Sequence, residues 1–236
     1  MIDIILDSWC FMQNTSHAVM SQRIESKASA DDFPTPPWAT RALIEHVLRE
    51  KAALKRMTCW EPACGAGHMS KVLAEYFEVV RSSDAYQYGY GSIFDFVKMR
   101  PQEHSCDWVI TNPPFKHAQT FVLHALEVAK SGVAILARSV FLESVGRYRS
   151  VFRDRPPSAF AQFVERVPMV KGRLDQKAST ATGYAWLVWR KEDLTGAPRL
   201  LWVPPCRKEL EREGDYDAPP PIAVIGANAS VANLQM

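Results

Sequence analysis

The chain is short of the features that would assign it to a class at sight. Its five cysteines, Cys10, Cys59, Cys64, Cys106 and Cys206, form no CxxC pair and are odd in number. That argues against a disulfide frame or a zinc site and for a reducing compartment. No run approaches the roughly 20 apolar residues of a membrane-spanning helix. The opening MIDIILDSWCFM carries Asp3 and Asp7 and lacks a basic segment, so it does not read as a signal peptide. Net charge is only +2 over 236 residues, and any nucleic-acid surface must come from local clustering rather than bulk electrostatics. Repeats and low-complexity blocks are absent, and His68, His117 and His124 have no metal-ligand spacing. What remains is an ordinary globular composition, 47% hydrophobic and 23% charged, expected of a soluble cytoplasmic protein with one large core.

Residues 1–30 are polar after their opening run and show no strong period, which predicts an N-terminal arm. A main domain is expected over 31–205 and a tail over 206–236, which contains DAPPPIAV and wraps or frays. Within the domain, TCWEPA (58–63), EVVRSSDA (78–85), the run ending at Asn112 and GVAILARS (132–139) read as strands. HMSKVLAEYF and KHAQTFVLHALEVAK read as helices, the second with Phe121, Leu123, Leu126 and Val128 on its apolar face. A further helix follows DDFPTPPWAT, with Pro36 and Pro37 in its first turn and Ala42, Leu43, Val47 and Leu48 at helical spacing. AFAQFVERV (159–167) and YAWLVWRK (184–191) are two more strands, expected as an antiparallel pair at one edge. Alternating strands and helices predict a doubly wound α/β sheet.

Three stretches carry chemistry. DWVITNPPF (107–115) is a strand that two prolines must end, since neither donates an N–H and each fixes its own φ. Asn112 and Phe115 are thereby placed in a stiff loop at a strand's carboxyl end, where open α/β sheets bind ligands. EPACGAG (61–67) is a strand ending in an acid, then a glycine turn into a helix. Gly65 and Gly67 let the backbone approach a ligand, but the third glycine of GxGxxG and a following GK[ST] are missing, which disfavours pyrophosphate and NTP loops. Asp84 lies seventeen positions beyond Gly67, at the end of the next strand, where a carboxylate accepts from ribose hydroxyls. A nucleoside cofactor without a pyrophosphate fits.

EPACGAG, Asp84 and NPPF, in that order, resemble the S-adenosylmethionine-dependent amino-methyltransferases, most closely the DNA adenine-N6 type, over residues 32–190. The resemblance implies a Rossmann-like class I methyltransferase with a mostly parallel seven-stranded sheet and helices on both faces. It implies S-adenosylmethionine as cofactor, no metal, and methyl transfer to adenine N6 in DNA, with RNA or a protein glutamine as alternative acceptors. An inactive cofactor-binding partner subunit is a rival of another class, against which the intact Asn112 argues. By resemblance, Thr35 and Pro36 would lie near the methionine carboxylate. Glu61 would order the loop and the cofactor's amino-acid end, Pro62, Ala63, Gly65 and Gly67 would line the cofactor, Asp84 would hold the ribose, and Asp95 would accept from the adenine amine. Asn112 and the Pro113 carbonyl would accept from the target amine, Pro114 would stiffen the loop, and Phe115 would stack on the base. Asp95 reads equally as a surface acid between two core phenylalanines.

Between 138 and 177 the sequence gathers basic residues, among them Arg138, Arg147, Arg149, Lys171, Arg173 and Lys177. They are candidates for phosphate contacts, with a solvated charged face as the alternative. KGRLDQKASTATG (171–183) suits a loop that orders on substrate, in place of the separate target-recognition domain that the sequence lacks. The oligomeric state is left open.

Overall fold

A computed structural model describes residues 31–101, 105–193 and 197–217. The expected N-terminal arm and the part of the tail beyond Asp217 lie outside the described residues.

The strands are β1 (Thr58–Glu61), β2 (Val79–Asp84), β3 (Ser92–Ile93), β4 (Cys106–Thr111), β5 (Ala129–Arg138), β6 (Ala159–Phe163), β7 (Tyr184–Arg190) and β8 (Arg199–Val203). They form one sheet in the order β3-β2-β1-β4-β5-β7-β6-β8. β1 to β5 run parallel, while β7 is antiparallel to both β5 and β6. The helices are α1 (Pro37–Ala42), α2 (Lys51–Leu54), α3 (His68–Leu73), α4 (Ala118–Val128), α5 (Val145–Arg147) and α6 (Arg207–Leu210). After α1 the chain continues as a π-helical turn, Leu43–Leu48, which ends at Arg49 with a left-handed φ of 60°.

The central strands are apolar on both sides because each side is covered. Trp108 and Ile110 of β4, Ala134 and Leu136 of β5, and Trp186 and Val188 of β7 share one core with Trp38, Leu43, Ile44 and Leu73. Their alternates Val109, Val133, Ile135, Leu187 and Trp189 share the other with Phe121, Val122, Ala125 and Leu126 of α4. A side-chain period of two thus divides one run between two layers, as a doubly wound sheet requires.

The sheet has eight strands among the described residues where seven were expected. β8, in PRLLWVPP, escapes the sequence because prolines bracket it and most of it is exposed, so it shows no alternation; it pairs parallel with β6 alone. The β6–β7 pair is antiparallel as expected, but β8 forms the edge outside it.

The segment 206–217 docks on the first layer through Arg41. The Arg41 side chain is 4% exposed and pairs with Glu75 at 2.8 Å and Asp215 at 2.7 Å, and its Nη1 donates to the Leu210 carbonyl at 2.8 Å.

Gly132 marks the tightest crossing in the sheet. A Cβ there would stand 2.5 Å from the Trp108 ring and 2.8 Å from the Trp189 carbonyl oxygen. Gly132→Ala should cost about 1–3 kcal/mol and lower the melting temperature by several degrees. An unchanged Tm in calorimetry would show that the crossing is looser than drawn.

Candidate active site

Glu61, Asp84, Thr111 and Arg138 are the last residues of β1, β2, β4 and β5. They open one edge at the point where the strand order reverses, between β1 and β4, the place where such sheets bind ligands.

The glycine turn after β1 is tied to β2. The Cys64 amide donates to the Ser83 carbonyl and the Gly65 amide to Asp84 Oδ2, each at 3.0 Å. Asp84 Oδ1 accepts from the Tyr86 amide at 3.0 Å. Gly65 and Gly67 have φ of +50° and +82°, and a Cβ on Gly67 would lie 2.5 Å from the Tyr90 ring. Tyr90, from the aromatic loop before β3, therefore lies directly on the turn. Pro62 is buried and Ala63 half-buried in the same turn.

Three carboxyl groups give this turn its electrostatics. Glu61 is 2% exposed and accepts from the Ser70 hydroxyl, which in turn accepts from the Ser82 hydroxyl at 2.7 Å. Burial pushes the Glu61 carboxyl up to about 8; the Ser70 hydroxyl opposes the rise and the charge on Asp84 adds to it. Burial also raises Asp84 against the amides that hold it, and it raises Asp32 with help from the Asp84 charge. A lining of acids that are all hard to ionise favours a cation.

The second half of the site is a strap, residues 31–35, laid against the NPPF loop. Asn112 Nδ2 donates to the Phe33 carbonyl at 2.8 Å and to Thr35 Oγ1 at 3.2 Å. The Phe33 carbonyl, which can only accept, fixes which way the amide faces, since the flipped amide would set two oxygens against each other. Asn112 Oδ1 is left buried with no partner. The Phe115 amide donates to Asp31 Oδ2 at 2.6 Å, and the Phe33 and Phe115 rings lie 5.3 Å apart with a tilt of 36°. Asp32 borders the other half, with Oδ1 3.7 Å from where a Gly65 Cβ would be. The strap so joins the two halves.

The remaining candidates differ in their surroundings. Thr35 is buried and bonded to Asn112, and Pro36 caps α1. Asp95 turns onto its own chain, with Oδ1 accepting from the Val97 amide at 3.0 Å and Oδ2 paired with Lys98 at 3.0 Å. Burial works against its charge, but Lys98 and the amides hold it below the usual range. Arg138 and Arg147 line a 140 Å³ cavity beside Pro113 and Phe115, Arg149 is exposed beyond it, and Arg173 pairs with Asp175, whose carboxylate also accepts from the Lys177 amide. Lys171 acts electrostatically on Asp32. Sequence reasoning missed Asp31, Asp32 and Phe33 as site residues; their only signal was their place at the head of the proline-rich DDFPTPP. Among the described residues, no group of three His, Cys, Asp or Glu side chains could hold a metal ion, and no helix is long and apolar enough to cross a membrane.

No protein-family model matches the chain, and no curated protein matches it in sequence. Solved structures do match in shape. A modification subunit assigned to a type I restriction enzyme of Vibrio vulnificus superposes with a TM-score of 0.53 at 14% identity, over 75% of this chain and 48% of that one. The chain thus spans about half the length of that subunit. A protein assigned as a class I S-adenosylmethionine-dependent methyltransferase from Listeria monocytogenes gives 0.52 at 13%, over 75% and 67%. One assigned as an RNA methyltransferase from Pyrococcus horikoshii gives 0.52 at 14%, over 70% and 90%. The fold is that of the class I S-adenosylmethionine-dependent methyltransferases.

Replacing Asp31 by Ala should release the Phe115 amide. A hydrogen bond to a charged acceptor contributes about 1.5–3 kcal/mol, so amide exchange at Phe115 should quicken by roughly tenfold or more while the protein stays folded. Unchanged protection would show that the strap does not hold the loop.

Proposed function

We propose that this protein transfers a methyl group from S-adenosylmethionine to the exocyclic N6 of adenine in DNA. One observation carries the reading: an asparagine amide at a strand end is pinned by its nitrogen, and its oxygen is buried without a donor. A buried acceptor left unpaired costs about 1–3 kcal/mol, a cost that an incoming N–H group removes.

The chemistry follows from the acceptor's needs. A nucleobase amine is a weak nucleophile because its lone pair is delocalised into the ring. Asn112 Oδ1 and the Pro113 carbonyl oxygen draw on its two N–H bonds and localise that lone pair on nitrogen. Fixed dipoles also stabilise the positive charge that grows there as nitrogen attacks, at no reorganisation cost. The bound cofactor supplies a methyl group on a sulfonium. Asp84 retains acceptor capacity for ribose hydroxyls beyond the two amides it holds, Gly65 and Gly67 allow close backbone approach, and Glu61, Asp84 and Asp32 favour the cofactor's positive groups. Phe115 offers a stacking surface worth about 1–3 kcal/mol per base, offsetting the few kcal/mol needed to extrude it.

The resemblance to a restriction-modification subunit supports DNA as the acceptor. RNA is the second reading, supported by the Pyrococcus horikoshii neighbour, nine-tenths of which is covered. Incubation with methyl-labelled cofactor and unmodified DNA, RNA or protein, followed by digestion and product identification, decides between them. N6-methyladenine from DNA is the expected product, and label confined to RNA or protein would overturn the DNA reading.

Asn112→Ala should lower kcat by about 10²–10³-fold, the scale of losing one preorganised dipole, with cofactor affinity kept in calorimetry. Full turnover by the variant would end the proposed mechanism.

Glu61 predicts a pH dependence. With its carboxyl at about 8 in the free protein, it is mostly protonated at neutral pH, and a cationic ligand favours the ionised form. Cofactor affinity should therefore rise with pH and level off above about 8, with up to one proton released on binding near pH 7. Calorimetry in two buffers of different ionisation enthalpy reads that proton. Glu61→Gln should abolish its release, and an equal release from the variant would assign it to another group.

A further inference from the structure

The Phe115 ring is already occupied in the ligand-free molecule. The Arg138 guanidinium carbon lies 3.8 Å from the ring centroid, a stacking distance. The Phe33 ring packs against Phe115 at 5.3 Å. Arg138 closes β5, which neighbours β4 in the sheet, so the guanidinium reaches Phe115 from the adjoining strand.

Two further facts bear on how firmly this stack is held. Arg138 Nε is buried and has no hydrogen-bond partner, although a guanidinium nitrogen is a strong donor and is seldom left so. Beside the stack lies a cavity of 140 Å³ bounded by Pro113, Phe115, Leu136, Arg138, Phe141 and Arg147. An engineered cavity of about 150 Å³ admits a benzene ring, so this space takes one planar six-membered ring, or the guanidinium itself. The neighbouring Arg147 shows a firmer version of the same contact: its guanidinium lies 4.5 Å from the Phe141 centroid, and its Nε donates to the Phe141 carbonyl at 2.5 Å. Arg138 is tied through a side-chain hydrogen bond to Tyr184, but its Nε has no such anchor.

We propose that Arg138 is a place-holder for the target base: it stacks on Phe115 in the free protein and leaves that ring when the extruded base arrives. The idea rests on the reading of Phe115 as the base-stacking ring. A guanidinium suits the task because it is planar, delocalised and weakly hydrated, and covers an aromatic face much as a base does. It keeps water off Phe115 while the site waits. Its Nε–H is the part of the head left unsatisfied beside the Tyr184 hydrogen bond, and an entering base brings acceptors for it. Arg138 thereby changes from a suspected phosphate contact into a positioning residue that filters what reaches Asn112: a group that cannot replace a stacked guanidinium does not gain the ring.

The side chain can be watched directly in wild-type protein by NMR of the arginine Nε–Hε groups, with the Arg138 signal identified by its loss in Arg138→Lys. Stacked on Phe115, that signal carries a ring-current shift. A single-stranded oligodeoxynucleotide rich in deoxyadenosine, added with S-adenosylhomocysteine, should abolish the shift, whereas S-adenosylhomocysteine alone should leave it in place. Loss of the shift with S-adenosylhomocysteine alone would overturn the place-holder role, because the residue would then answer to the cofactor. Methylation of the oligonucleotide with the shift retained at saturation would overturn it too while leaving the proposed function standing. An oligonucleotide neither methylated nor able to move the signal would overturn both.

Discussion

The site depends on a single hydrogen bond, from the Asn112 amide nitrogen to the backbone carbonyl of Phe33. Without it the amide could present either end to an incoming amine, and half of its orientations would offer donors to a group that also donates. With it the oxygen faces inward and the nitrogen is spent. A main-chain carbonyl is a good partner for this purpose because it can only accept, so the choice between amide orientations is enforced by chemistry rather than by shape. The Thr35 hydroxyl supports the same orientation but could serve either, being donor and acceptor at once.

Around that fixed point the two halves of the site meet through one short stretch of backbone. Asp32 faces the glycine turn and its acids, while Asp31 and Phe33 face the NPPF loop. The electrostatic strain of three neighbouring carboxyl groups sits on one side of the strap, and the unmet polar groups Asn112 Oδ1 and Arg138 Nε sit on the other. Such groups cost stability in the free protein. Trp38, Thr40 and His46 carry further unpartnered atoms away from this edge, so it is the pairing of such groups with a cluster of hard-to-ionise acids that sets the edge apart.

Much of this was readable from the residues. The double proline had to end β4, the glycine turn had to follow β1, and the continuous apolar run GVAILARS had to be a strand covered on both faces. These are local constraints, expressed within a few positions. The strap was not readable, because its partners lie 79 and 84 residues away and nothing in DDFPTPP announces which carbonyl an amide will meet. β8 was missed because an exposed edge strand between prolines has no pattern to betray it. Asp95 was open to two readings from the sequence, and the structure shows its carboxylate spent on a local turn. Basic residues close in sequence proved to do unlike things: Arg138 covers a ring, Arg173 pairs with a nearby acid, and Arg149 meets solvent.

The order of these pieces along the chain also sets when the site can exist. The strap is made before every strand of the sheet, yet what it must hold emerges far later, and contacts of such wide separation pay their loop-closure entropy late in folding. A growing polypeptide therefore carries its acidic strap unpartnered until the fourth strand has docked. The joined site is among the last features this molecule completes, and truncated translation products that stop short of residue 112 would have the glycine turn but no amide to orient.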